Sequence, residues 1–179
     1  RMIYGLRGAD GAALPHSRLS THTRIEGEAN LVLGDHVFIG HFNFIDASGG
    51  LVLGEGVQVA NFTSILTHST HRALRVMGQR FWGASELVGG LKAATAVGPY
   101  SFVGPHGVLM PGTRLGRGSL VAAYSLVRGE HPDFAILAGN PAVVVGDTRT
   151  PDAELLAQYP EFRPAYEAWA RGEGVGGAG

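Results

Sequence analysis

Two histidines three residues apart, in Thr67-His68-Ser69-Thr70-His71, offer the clearest proton-transfer chemistry in this sequence. Imidazole titrates near neutrality, so one side chain can take a proton from a nucleophile and return it to a leaving group. The plain alternative is a solvated pair with no role. His16, His22 and His131 have no partner spacing that argues for chemistry. The absence of cysteine excludes thiolate nucleophiles, disulfides and cysteine metal sites together. No serine sits in a nucleophile-elbow motif, which disfavours a covalent serine route.

The elements that must hold His68 follow from a six-residue beat. Aliphatic residues stand at Leu19 and Ile25, at Leu33, Ile39 and Ile45, at Leu53, Val59 and Ile65, and again from Val97 through Val103, Leu109, Leu115 and Val121 to Val127. A small residue usually follows, as at Gly34, Gly40, Gly54, Ala60, Gly98, Gly104 and Gly116. Four residues after each aliphatic comes a second compact slot, filled by Val37, Thr63, Ser101, Thr113 or Ser119. A period of six suits neither a helix nor an alternating strand, but it suits short strands joined by tight corners. The expected fold is all-β: a parallel β-helix of hexapeptide repeats, three hexads to a coil.

Two positions break the rhythm. Asn43 occupies a compact slot, where a buried amide must be hydrogen-bonded within the structure or aimed at a ligand. Asp46 directly follows Ile45, where glycine or alanine is usual. It could bind a substrate hydroxyl, orient His68, or satisfy the amides of a turn. With His71 these are the substrate-binding candidates.

Restoring the beat between Ile65 and Val97 requires removing about 26 residues, so residues 69–96 are expected to leave the coil as a long excursion. Its Arg72, Arg75, Arg80, Phe81 and Trp82 suit contact with a substrate or a neighbouring subunit. Residues 1–18 form a lead-in and 19–146 the β-helix. Residues 147–179 form a helical cap with a glycine-rich tail, expected to be mobile from Gly172. Within the cap Thr150 is the expected N-cap, with Pro151 at the first helical position and helices near 152–158 and 164–171. A net charge of −1 gives no reason to expect a nucleic-acid partner, and no apolar run is long enough for membrane insertion.

The beat, the excursion, the His68 segment and the ending Ala138-Gly139-Asn140-Pro141-Ala142 together resemble the hexapeptide-repeat acyltransferases. Within them the likeness is to the galactoside and polysaccharide O-acetyltransferases. The likeness covers about residues 19–146. It implies a left-handed coil, a homotrimer with active sites between subunits, and acetyl-CoA as cosubstrate with no metal. It also implies a sugar or glycoconjugate acceptor, with His68 as the catalytic base. For CoA it implies small residues along the pantetheine arm, matched here by Gly104, Ala122, Ala123 and Gly139. The basic residue common after the Asn-Pro signature is replaced by Val143, so Arg128 or Arg149 must meet the nucleotide phosphates. Access to acetyl-CoA and the lack of a visible signal segment make a cytoplasmic location the expectation.

Three other readings stand beside this one. An N-acetyltransferase of a nucleotide-linked amino sugar would use the same scaffold. A trimeric β-helix without activity would keep CoA affinity but transfer nothing. A γ-class carbonic anhydrase would need three histidines on zinc. His36 and His41 have a suitable separation, but here the pair precedes the lone His68, the reverse of that family's order.

Overall fold

Each hexad folds as a strand of two or three residues followed by a corner, and successive coils lay these strands in parallel. The computed structural model describes residues 1–172. Three sheets form the sides of a prism. In the first, Leu19, Ile39, Val59, Val103, Val121 and Leu137 are register partners in turn. In the second the column is Ile25, Ile45, Ile65, Leu109 and Val127. The third column is Leu33, Leu53, Val97 and Leu115. The three columns meet along the axis as one hydrophobic core. Ile65, fully buried two residues before Thr67, couples this core to the site. Ile65→Ala is expected to cost about 2–5 kcal/mol, read from the urea unfolding midpoint.

The small residue after each aliphatic is there for stacking. A Cβ on Gly98 would lie 2.5 Å from the backbone nitrogen of Arg117, and one on Gly116 2.3 Å from that of Asp133. The left-handed backbone positions fall two residues later, and several carry rings: Phe42, Phe62, His106 and Tyr124 all have φ between 56° and 60°. Positive φ is unusual for bulky side chains. Here the rings stack in a column, with centroids 5.2, 5.0 and 4.5 Å apart from Phe42 to Tyr124, and those contacts offset the strain.

The excursion departs at His68 and is tied at its root. His68–Ser69 pairs antiparallel with Leu91–Lys92, and the Ala93 N–H donates to the Thr67 carbonyl at 2.9 Å. Between them run helix α1 (His71–Met77) and a 3-10 turn, Gly78–Phe81. The return comes earlier than residue 96: Thr95–Val97 already pairs with Leu51–Leu53, because the Thr95 hydroxyl and N–H bond to coil carbonyls at Leu66 and Gly50.

Met2–Arg7 and Ala13–Ser20 form an antiparallel hairpin at one edge of the first sheet. Ala142–Asp147 folds back on Ala135–Gly139 at the other edge. Two helices follow, α2 (Arg149–Gln158) and α3 (Arg163–Ala170). Thr150 lies inside α2 and does not cap it. The residue before the helix is Thr148, whose hydroxyl donates to the Gly118 carbonyl at 2.7 Å and so ties the helix to the coil. Trp169 of α3 stacks on Tyr100 at 4.8 Å. The tail expected to be mobile lies, from residue 173, outside the described residues. No helix among the described residues is long and apolar enough to cross a membrane.

Candidate active site

Asp46 ends a strand of the second sheet, and His68 lies three residues beyond the strand stacked on it in the next coil. The register Ile45 to Ile65 brings the end of strand Phe44–Asp46 beneath the chain just after Ser64–Ile65. The Asp46 side chain is fully buried, whereas that of His68 is 46% exposed, and His68 Nδ1 lies 2.6 Å from Asp46 Oδ2. The Thr67 N–H and hydroxyl each donate to the same oxygen at 2.9 Å. The Ser48 N–H donates to Oδ1 at 2.9 Å. Burial pushes the Asp46 carboxyl up, but the Ser48 hydroxyl, the Thr67 N–H, the Ser48 N–H and the Thr67 hydroxyl outweigh it. The group is held well below the usual carboxylate range and is ionised at neutral pH. An ionised carboxylate only accepts, so the imidazole proton belongs on Nδ1 and the Nε2 lone pair is left for a substrate. Ser48 Oγ, 3.2 Å from Nδ1, completes the setting.

Beside the imidazole lies a cavity of about 340 Å³ lined by Ser48, His68, Thr70, Leu87, Gly90, Leu91 and Lys92. Its far wall is the returning strand of the excursion. The cavity therefore joins Ser48 of the coil and His68 at the excursion root to five residues of the excursion.

The other expected residues lie elsewhere. Asn43 is buried in its corner, where its Oδ1 accepts from the Thr63 N–H at 2.7 Å and its Nδ2 has no hydrogen-bond partner among the described residues. His71 begins α1, with Nδ1 2.6 Å from Ser69 Oγ. Gly104 and Ala122 directly follow successive strands of the first sheet, Ala123 is next to Ala122, and Gly139 ends the following strand, so they form a row along a corner different from that of His68. A Cβ on Gly104 would lie 2.6 Å from the Val121 carbonyl oxygen, so coil stacking by itself requires glycine there. Arg149 is paired with Asp147 and lies over the Phe134 ring at 4.7 Å. Arg128 is exposed, and its carbonyl accepts from His131 Nε2 at 2.9 Å. None of these lines the cavity beside His68.

Residue types alone did not single out Ser48, Thr67 or Lys92 as parts of the site. The first two act across coils, through a 20-residue register that only the folded chain displays. Lys92 carried a compositional signal, being the sole lysine of the sequence. His16 also has a partner that spacing did not show: its Nδ1 lies 2.8 Å from Asp35 Oδ2. Burial pushes Asp35 up, yet hydrogen bonds from His16, the His36 N–H and Ser17 bring it down to about 2. His36 stacks parallel on His16 at 4.4 Å, while His41 bonds to Ser20 Oγ at 2.6 Å. His36 and His41 thus belong to separate clusters, and the histidine–carboxylate group of metal-ligand spacing among the described residues is His16, Asp35 and His36.

No family model matches the chain. A protein of Mycobacterium tuberculosis named as a probable acetyltransferase is 29% identical over 142 residues, 77% of this chain and 44% of the relative. A protein of Escherichia coli named for O-acetyl transfer in lipopolysaccharide biosynthesis is 36% identical over 53 residues, 30% of this chain and 27% of that one. The chain thus spans less than half the length of the curated relatives it matches. Among solved structures, a hexapeptide-repeat acetyltransferase of Vibrio cholerae, in complex with acetyl-coenzyme A, is similar at a TM-score of 0.61. The two are 20% identical over 75% of this chain and 72% of that one. The N-acyltransferase AntD of Bacillus cereus, in complex with dTDP and 3-hydroxybutyryl-CoA, also has a TM-score of 0.61, at 13% identity over 83% and 89% of the two chains. The chain therefore has the fold of the hexapeptide-repeat acyltransferases and is similar in sequence to proteins named as acetyltransferases.

Proposed function

We propose that the protein transfers an acetyl group from acetyl-CoA to a hydroxyl of a sugar or glycoconjugate, with His68 as general base. The observation that carries this reading is the Asp46–His68 pair, whose buried carboxylate fixes the imidazole tautomer that leaves Nε2 unprotonated beside a cavity. The acceptor hydroxyl gives its proton to Nε2 as its oxygen attacks the thioester carbonyl. The tetrahedral intermediate then expels the CoA thiolate, which takes the same proton back, so base and acid are one group. Asp46 positions and stabilises the imidazolium between the two steps.

Two further features of the reading rest on the shape of the prism. The small residues proposed to line the pantetheine arm, Gly104, Ala122, Ala123 and Gly139, stand along a different corner from His68. A single chain keeps the two apart, while a second copy laid against the first can bring them into one groove. A left-handed homotrimer with the excursion of one subunit walling the site of its neighbour supplies that arrangement. In it Arg128 is the proposed phosphate contact, because Arg149 is already held by Asp147. Asn43 and His71 remain proposed acceptor contacts, reached only if the corner or the excursion opens toward the ligand.

The test is acceptor-dependent release of free CoA from acetyl-CoA, followed with a thiol reagent across neutral, acidic and amino sugars. The protein has no cysteine, so the thiol signal belongs to CoA alone. Release with hydroxyl acceptors is the expected result. Release confined to amino sugars would move the chemistry to N-acetylation, and CoA binding without release to any acceptor would leave a scaffold.

A further inference from the structure

The excursion beside His68 has a charge pattern opposite to that of the rest of the chain. Residues 70–92 hold four of the 14 Lys+Arg and one of the 15 Asp+Glu, so the excursion is net positive and the remainder net negative. Arginine supplies the other 13 of the 14 Lys+Arg side chains, and the sole lysine, Lys92, lines the cavity beside the imidazole. The ribbon register sets His68 directly opposite Lys92. Residues directly opposed on antiparallel strands project from the same face, with Cβ atoms about 4.5–5.5 Å apart. No Asp or Glu lines the cavity, and no ion-pair or hydrogen-bond partner of the Lys92 ammonium is found among the described residues. Lys92 is exposed on the same wall as Leu87 and Leu91, so its ammonium is open to a ligand entering the cavity.

A lysine ammonium is a compact charge with three donors that can follow a ligand of uncertain pose, where an arginine fork demands a planar partner. We propose that Lys92 makes the site selective for an anionic acceptor, a sugar bearing a carboxylate or a phosphate, by receiving that charge while the reacting hydroxyl faces His68 Nε2. The inference rests on the acyl-transfer reading of His68.

The experiment reads binding apart from turnover. Reductive ¹³C-methylation labels Lys92 and otherwise only the terminal amine, giving a single side-chain reporter by NMR. Titration, without any CoA, uses methyl β-glucuronide, glucose 6-phosphate and methyl β-glucoside. At least one anionic probe is expected to shift the Lys92 resonance, and the one that does so identifies carboxylate or phosphate as the charge. The neutral glycoside is expected to leave the resonance in place. In the unlabelled protein, Lys92→Met is expected to weaken that probe roughly tenfold, the scale of one charge-assisted hydrogen bond, with Lys92→Arg recovering part of the loss.

Kinetics on the same variant should raise KM for the anionic acceptor and leave KM for acetyl-CoA unchanged. Equal shifts with charged and neutral probes, or no shift with any probe, overturn the proposal. So does a raised KM for acetyl-CoA, which would assign Lys92 to the cosubstrate phosphates. An equal fall in kcat for every acceptor also overturns it, as that marks an oxyanion contact. Charge-selective binding without CoA release would sink acyl transfer but leave the anion site standing. Release to neutral sugars without charge preference would do the reverse.

Discussion

Replacing His68 by alanine is expected to lower kcat for acetyl transfer by about 10²–10⁴-fold, the range a positioned general base contributes. The thermal midpoint should change little. The imidazole is nearly half exposed and belongs to the excursion root, outside the hydrophobic core. Asp46 keeps its Thr67 and Ser48 donors in the variant, so no buried charge is left unpaired. KM for acetyl-CoA should also hold, because the base acts on the acceptor. Steady-state CoA release beside a melting curve separates the outcomes. Unchanged release in a folded variant would remove His68 from the chemistry, and lost release with a collapsed midpoint would show only misfolding.

Asp46→Asn is expected to produce a comparable kinetic loss for a different reason. An amide at this position can donate its own N–H to Nδ1, which moves the imidazole proton to Nε2 and occupies the lone pair that should accept from the substrate. Inverting a tautomer in a carboxylate–imidazole pair costs on the order of 10⁴ in kcat. Unlike His68→Ala, this variant should also lose stability, roughly 1.5–3 kcal/mol at neutral pH, because a hydrogen-bonded charge is removed from a fully buried position.

The pH dependence follows from the direction of the shift. The folded carboxyl is depressed below its ordinary value of 3.8. Its contribution to stability is therefore complete above about pH 4 and is lost as pH falls through the depressed folded value. Wild type and variant should differ most in urea midpoint near pH 7 and converge in strong acid. A kinetic loss with no stability difference at any pH would mean that the carboxylate does not carry the Thr67 and Ser48 donors as described.

The core was legible because its signal is one residue wide and repeated. Ile39, Ile45, Ile65, Leu109, Val121 and Val127 needed no context beyond the count of six, and all are buried. Asp46 was legible as an exception to that count, and two of its three readings meet in one side chain: it accepts the Ser48 and Thr67 backbone N–H groups of its corner and also contacts His68 Nδ1. What stayed hidden depends on which coil lies against which. Thr67 meets Asp46, and the Ser48 hydroxyl meets His68, across the stacking register, and Arg149 finds Asp147 two residues back on a strand that its own sequence did not reveal. The left-handed positions were hidden for another reason. Rings at Phe42, Phe62, His106 and Tyr124 tolerate positive φ because each lies on the ring of an adjacent coil, a gain no local window contains.

The hydrogen bond from Ala93 to Thr67 closes the excursion at its base, and Asp46, Ser48 and Thr67 all sit on the coil side of that closure. The machinery that fixes the imidazole is thus built into the prism, while Leu87, Leu91 and Lys92 belong to a detachable cassette inserted at one corner. Lengthening or exchanging the cassette between Thr70 and Leu87 would leave the dyad's geometry in place. A scaffold of this kind can change what it recognises by insertion and deletion alone, without reinventing how it moves a proton.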